Sequence, residues 1–254
     1  NGINIDHFLE LDKEGISREP HRVIYTSSYD RGLEHLLKAW GEVRAEVPDA
    51  ELHVFYGWKL FEEFYSNNPE RMAWKAKIDK LMEQGGVVHH GRVGQKDVLR
   101  ETYKSAIWAY PTHFGEISCI TAMKCQAAGT IPVVCDYAAL KETVKYGVKV
   151  GVDDDDIYSP EKKTEFKDAL VKALKDEEWQ SKTRSEMMVW ARDVFTWSKV
   201  AEQWDKEFKC DELREIAKEL IELQPDAKKY LPIKVQKEMG YEQTYYYLDN
   251  RGMW

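Results

Sequence analysis

Apolar runs and amphipathic stretches alternate along the chain from residue 21 to residue 152. Strands are expected over 21–27, 51–57, 87–90, 106–111, 131–135 and 148–152. Their cores, such as Val23-Ile24-Tyr25 and Ile107-Trp108-Ala109-Tyr110, are continuous rather than alternating, which is the mark of strands buried on both faces of a parallel sheet. Between the first two, Leu33, Leu36, Leu37 and Trp40 recur at i, i+3, i+4 and i+7, one face of a helix. Similar spacing precedes Val87, Ala106 and Ile131. Strand–helix–strand repetition with right-handed crossovers predicts an α/β fold with a doubly wound, Rossmann-like parallel sheet.

The pattern changes after Val152. Residues 153–156 are four aspartates, and Pro160 then opens a helical tail reaching about Leu223. Trp197, Val200, Ala201, Trp204 and Phe208 form one apolar stripe, expected to dock on the α/β core, and 211–223 carries a second. From Pro225 the sequence is proline-punctuated and rich in tyrosine. We therefore divide the chain into a domain over 1–209 and a helical and irregular extension over 210–254 that could link to a further domain.

Composition narrows the function classes. The 254 residues include 37 basic and 45 acidic side chains, net charge −8, which argues against a nucleic-acid partner. Four cysteines without C-x-x-C spacing point to a reduced, cytoplasmic protein, and no apolar run has the length of a transmembrane segment. The opening Asn1 in place of Met leads us to expect a piece of a longer chain.

In an open parallel sheet, ligands bind where strand ends lead into helix N-termini. Two loops carry suitable chemistry. Thr26-Ser27-Ser28-Tyr29-Asp30-Arg31-Gly32 offers hydroxyls, backbone amides, a cation and a glycine, and suits an anion such as phosphate. It also reads as an ordinary βα connection with a solvated arginine. The second loop, residues 111–119, runs into an expected helix over 120–128. Glu116 here is either a charge favoured by the helix dipole or a contact for sugar hydroxyls, with the amides of Ser118, Cys119 and Ile120 free to hold phosphate. Neither loop matches G-x-G-x-x-G or G-x-x-x-x-G-K-[ST].

Taken together in order, several segments resemble the C-terminal, donor-binding domain of a retaining family 4 (group 1) glycosyltransferase of GT-B fold. The opening Asn1-Gly2-Ile3-Asn4-Ile5-Asp6-His7-Phe8 is similar to the segment that begins that domain. Ser27 to Leu33 corresponds to its G-R…K-G-x segment, with Arg31 at the phosphate-binding lysine and Gly32 after it. Gly91-Arg92-Val93 falls at the G-x-V turn, so that Arg92 and Val93 would border the nucleotide base. Glu116 and Lys124 stand where the family has E-x(7)-E, and Ala127-Ala128-Gly129-Thr130-Ile131-Pro132-Val133-Val134 resembles the stretch that closes the motif. Phe195-Thr196-Trp197-Ser198 resembles the terminal F-S-W-x segment.

The resemblance implies transfer of a sugar from a nucleotide diphosphate sugar, UDP or GDP, with retention at the anomeric carbon. The acceptor would be a glycan, lipid or protein. It implies no cofactor and no metal, and an N-terminal Rossmann-like domain without which this fragment would be inactive. Glu116 would hold the donor sugar, and Arg31, Ser118, Cys119 and Ile120 would stabilise the leaving diphosphate. Two departures stand out. Ser28 replaces the first phosphate-binding arginine, in a loop about two residues shorter. Lys124 replaces the second glutamate, so a group with three donors and no acceptor stands at a hydroxyl-binding position, free to pair with phosphate or with Glu116. These departures keep two alternatives open: a non-catalytic nucleotide-sugar-binding module, and a GT-B-fold epimerase.

Other candidates read more plainly. The aspartates at 153–156 suit a solvated loop better than a divalent cation. His89 and His90, adjacent in a strand, point to opposite faces. His113 reads equally as a substrate contact or a loop histidine. Cys119, at a helix entrance where thiol pKa can fall, reads as a small residue beside the ligand. Tyr56 and Trp58 suit core packing more than stacking on a base.

Overall fold

The structure is a computed structural model. It describes residues 1–153, 156, 158–207, 219 and 222. The central two aspartates of the acidic run, Phe208, most of the helix expected over 211–223 and everything from Pro225 lie outside the described residues. The chain divides into two units, Asn1–Trp197 and Ser198–Trp254.

Six strands form the first unit's sheet: β1 (Glu19–Tyr25), β2 (Glu51–Phe55), β3 (Val87–Gly91), β4 (Ser105–Tyr110), β5 (Ile131–Asp136) and β6 (Val148–Gly151). All pairings are parallel, in the order β3-β2-β1-β4-β5-β6. Each strand lies within two residues of its expected bounds. The central β4 is buried at all six positions, as its unbroken apolar run requires, whereas the edge strand β3 exposes Val88 and His89. The order reverses between β1 and β4, which makes the crevice beyond their carboxyl ends the topological switch point.

Helices cover both faces. On one, α2 (Leu33–Glu46) buries Leu33, Leu36, Leu37, Trp40 and Val43 beside α4 (Pro69–Met82) and α8 (Pro160–Lys175). On the other, residues of α1 (Asp6–Lys13), α5 (Gln95–Lys104), α6 (Ile120–Ala128) and α9 (Glu177–Val194) form a second apolar cluster around Phe8, Leu99, Met123 and Ala191. Each fully buried side chain of Leu or Ile size contributes about 1.5–3 kcal/mol, so the two faces together hold the sheet rigidly. Helix starts follow their caps: Asn68 accepts from Arg71 N–H with Pro69 at the first position, and Ser159 accepts from Lys162 N–H with Pro160 there.

Three further helices complete the element order among the described residues: α3 (Lys59–Tyr65), α7 (Leu140–Thr143) and α10 (Trp197–Glu207). No residue of α3 is buried. On the stripe expected over α10, Trp197 and Trp204 are both more than half exposed. The two ends of the first unit meet instead through its backbone. Ile3 N–H donates to Phe195 C=O at 2.8 Å, and Ile3 pairs with Thr196 in a parallel bridge. No helix among the described residues is long and apolar enough to cross a membrane.

Candidate active site at the switch point

The two chemically suggestive loops are the ones that leave β1 and β4, so strand order sets them against each other. Gly32 makes their close approach possible. Its φ of +106° is in the left-handed region, and a Cβ there would lie 2.0 Å from the carbonyl oxygen of Pro111. Across this contact Arg31 Nη1 reaches Glu116 Oε1 at 3.2 Å, and the guanidinium lies 3.6 Å from the centre of the Phe114 ring. The Tyr110 hydroxyl donates to the same Glu116 oxygen at 2.9 Å and also meets Ser27 Oγ at 3.2 Å. Burial works against the Arg31 charge, but Tyr110 and Glu116 outweigh it and hold its pKa above the ordinary value.

Glu116 is therefore not a helix cap. The N-cap of α6 is Cys119, and Glu116 stands three residues earlier, turned into the crevice. Ser118 and Cys119 lead into α6 and Ile120 opens it, so the first-turn amides, which lack intrahelical acceptors, lie at the same end of the sheet. The Cys119 thiol does not gain acidity from that position. Burial pushes it up to about 12.

Beside this cluster lies a cavity of about 410 Å³. Its walls are Thr26 after β1, Phe55 and Tyr56 at the end of β2, Leu60 on α3, residues 92–95, one side of α5, and Thr121, Lys124 and Cys125 on α6. Thr26 adjoins Ser27 and Thr121 lies in the first turn of α6, so the cavity borders the first loop and the helix into which the second one runs. Arg92, Val93 and Lys124 all line it. Lys124 does not turn to Glu116: its ammonium donates to Gln95 Oε1 at 3.1 Å, and burial lowers its pKa. Ser28 sits apart in a smaller hollow of about 200 Å³ with Asp30, Tyr56 and the aromatics of α3, while its carbonyl accepts from the Tyr25 hydroxyl at 2.8 Å.

Of the remaining candidates, His89 and His90 do point to opposite faces. His89 meets the Tyr29 hydroxyl at 2.7 Å, and His90 meets His53 at 2.8 Å and stacks on Phe55. His113 pairs with Tyr158, whose ring stacks on His35 at 3.6 Å between centroids. Trp58 packs edge-on against Tyr29 and donates to Asp79, as a packing role requires. Tyr56 does more than pack. It holds φ +134°, a costly conformation for a bulky residue, and lines both the cavity and the hollow. Among the described residues, no group of three or more His, Cys, Asp or Glu side chains converges as a metal site. A larger hollow of about 670 Å³ lies on the charged faces of α8 and the start of α9, reaching Glu46 at the end of α2. It is at the opposite end of the sheet from the switch point.

Tyr110, Phe114 and Gln95 join the site without having been singled out in the sequence, whereas Ser27 comes from the first candidate loop. Tyr110 reads there as core strand, and its hydroxyl meets Glu116 only through the turn that brings that residue back to it.

Residues 9–189 match the family model described as glycosyl transferases group 1. No curated protein matches the chain in sequence. Among solved structures, sucrose-phosphate synthase from Thermosynechococcus elongatus is similar with a TM-score of 0.62 at 18% identity, over 82% of this chain and 50% of that one. Anabaena HepE in complex with UDP gives 0.60 at 15% identity, over 82% and 56%. The pneumococcal O-GlcNAc transferase GtfA in complex with UDP and GlcNAc gives 0.51 at 15%, over 75% and 36%. At such identities the likeness is one of fold, that of GT-B glycosyltransferases, and this chain spans little more than half the length of these structures or less.

Proposed function

The chain belongs to the group 1 glycosyltransferases, and from that premise we propose that it binds a nucleotide diphosphate sugar and serves the transfer of its sugar, with retention at the anomeric carbon as in family 4. The observation that carries this reading is the convergence of Arg31, Tyr110, Glu116 and the α6 N-terminus at the switch point, beside a cavity of about 410 Å³. The nucleotide would occupy the cavity, with its base toward Arg92 and Val93. UDP is the favoured nucleotide, because two of the similar structures are described with UDP bound.

Each residue then has a task. The departing diphosphate carries growing negative charge, which a cation and preorganised amides stabilise more strongly in the transition state than in the ground state. Arg31 and the amides of Ser118, Cys119 and Ile120 supply those groups. Gly32 allows the loop carrying Arg31 to approach closely enough. Glu116 accepts from hydroxyls of the donor sugar and fixes its position, with Tyr110 orienting the carboxylate. The acceptor, a glycan, lipid or protein, and a second Rossmann-like domain are supplied from outside this chain. The donor domain is 1–209, with 210–254 as its extension.

The Lys124 and Ser28 departures favour one second reading, a binding module without catalysis. Turnover by the full-length protein separates the two. For donor binding itself, the test is a thermal-shift screen of the chain against UDP-, GDP- and ADP-sugars with EDTA present. A ligand at a hundred times its Kd stabilises the native state by about 2.7 kcal/mol. A shift with one nucleotide class supports the reading and names the base. No shift with any removes the donor-binding role from this chain on its own.

A further inference from the structure

The hollow of about 200 Å³ that takes Ser28 has a lining unlike that of the nucleotide cavity: six of its ten residues are aromatic. The inner rings hold one another. Tyr29 is buried and meets Trp58 edge-on at 4.6 Å between centroids, and Phe61 lies 5.2 Å from Trp58 and 4.9 Å from Tyr65. The outer groups do not pack. Phe64 is 78% exposed, Tyr56 and Leu60 are more than a third exposed, and no residue of α3 is buried. Large apolar groups left in water on one contiguous face mark a contact surface. The backbone is also held out of its ordinary range here. Tyr56 has φ +134° and Gly57 +81°. Gly57 N–H donates to the Tyr29 hydroxyl at 2.8 Å, and that hydroxyl lies 2.7 Å from His89 Nε2, which pins the turn. Strain of this kind persists where the surroundings over-determine it, and it collects at ligand contacts.

The polar groups of the lining select by charge. Asp30 is the ionised side chain among them, and it is exposed, with no ion pair or side-chain hydrogen bond among the described residues. Two cations approach these rings, Lys75 at Trp58 and Arg71 at Tyr65, but neither lines the hollow. An anionic lipid or a phosphate would meet a carboxylate there. A pyranose suits the set: the C–H groups of one face meet the negative face of an aromatic ring, while hydroxyls at the rim donate to Asp30 and to Ser28 Oγ. Tyr56 and Leu60 line the hollow and the nucleotide cavity alike, and Ser28 and Asp30 belong to the loop that carries Arg31. We propose that the hollow is a saccharide subsite, seating one sugar ring of a glycan acceptor while another part of that glycan lies at the Arg31–Glu116 crevice. The inference rests on the nucleotide-sugar reading and narrows its acceptor to a glycan that reaches from the crevice to α3.

Saturation-transfer NMR titration of the 254-residue chain tests this, with the methyl glycosides of glucose, galactose, mannose and N-acetylglucosamine as probes. Choline, phosphatidylglycerol vesicles and UDP are the contrasting ligands. Wild type is compared with Phe64→Ala and Asp30→Asn, both at exposed positions, with melting curves confirming that each variant folds. At least one glycoside should bind, and each variant should weaken it about fivefold or more, while Phe64→Ala leaves UDP within about twofold. In the full-length protein an oligosaccharide of that sugar should accept transfer, and Phe64→Ala should raise its KM about fivefold or more rather than lower kcat. An unchanged acceptor KM, or no transfer to that oligosaccharide, overturns the acceptor role. Glycoside binding equal in all three proteins places the sugar elsewhere and overturns the inference. So does choline or vesicle binding that depends on Phe64 where no glycoside binds. UDP binding without glycoside binding overturns the inference and leaves the nucleotide reading standing. Glycoside binding that depends on Phe64, without UDP binding, overturns the nucleotide reading and the acceptor role with it. No binding of any probe overturns both.

Discussion

Arg31 and Glu116 are ion-paired across the crevice between β1 and β4, Nη1 to Oε1 at 3.2 Å, from loops that Gly32 allows into contact. The pair links the residue assigned to the leaving diphosphate with the one assigned to the donor sugar. It adds to the Tyr110 hydrogen bond on the carboxylate and to the Phe114 ring beside the guanidinium in keeping both groups oriented.

Their separate tasks predict separate phenotypes. In the full-length protein, Glu116→Gln should reduce transfer by about a hundredfold or more while changing nucleotide affinity little. Arg31→Ala should weaken nucleotide diphosphate binding by about tenfold or more and leave the free nucleoside unaffected. Steady-state kinetics and titration of UDP against uridine check both. Equal loss of transfer and nucleotide affinity in Glu116→Gln would remove Glu116 from the donor sugar. Parallel loss of both ligands in Arg31→Ala would make Arg31 structural.

Gly32→Ala should destabilise the fold as well as the site. The φ of +106° alone is strained by about 1–3 kcal/mol for a residue with a Cβ, and that Cβ would meet the Pro111 carbonyl at 2.0 Å. Gly15→Ala is the matched control, since φ is +61° there and nothing lies within 4 Å of the added atom. Melting midpoints should fall by about 2–4 °C per kcal/mol, with the larger drop in Gly32→Ala. Equal drops would show that the loop yields without strain.

Two neighbours on α2 set an acid limb of stability. Burial, aided by Lys163, pushes the His35 imidazole down to about 4. Burial would raise the Glu34 carboxyl, but hydrogen bonds from Lys38, Lys77 and Trp74 outweigh it and bring it to about 2. In both cases the folded pKa lies below the unfolded one, so protonation favours unfolding. The His35 contribution is complete above about pH 6.5 and fades as pH falls toward 4. That of Glu34 fades between about 4.5 and 2. His35→Gln should flatten the upper part of a stability–pH curve, and Glu34→Gln the lower part. Unchanged slopes would deny these groups their role.

The buried thiols should be unreactive in the native state. Burial holds Cys119 and Cys135 at about 12 and Cys125 well above the ordinary thiol value, so thiolate is scarce at pH 8. Brief alkylation followed by peptide mapping should leave these three unmodified until denaturant is added. Rapid labelling of Cys119 alone would show that the loop before α6 opens readily.

The fold was legible because its strands are buried runs. Val23-Ile24-Tyr25 and the stretch from Ala106 to Tyr110 read as central strands without any partner in view, and α2 announces its buried face through Leu33, Leu36, Leu37 and Trp40. Glu116 and Arg31 were visible as chemistry on loops. What joined them was not, since β1 and β4 are far apart in sequence and their adjacency is a property of strand order. The same holds for Tyr110, whose hydroxyl acts only because the loop after β4 doubles back, and for Gln95, which meets Lys124 through the packing of α5 on α6.

The bridge between Ile3 and Thr196 has a consequence for topology. Because the first residues and the segment after α9 run side by side, the Asn1–Trp197 unit is almost a closed ring of chain. A short glycine-serine connector from residue 197 to residue 1 should therefore be accommodated without disturbing the sheet, and new ends opened at the exposed turn of Gly15 should yield a circular permutant that folds. The order of the chain would be rewritten, while the meeting of β1 with β4, on which the site depends, would be retained.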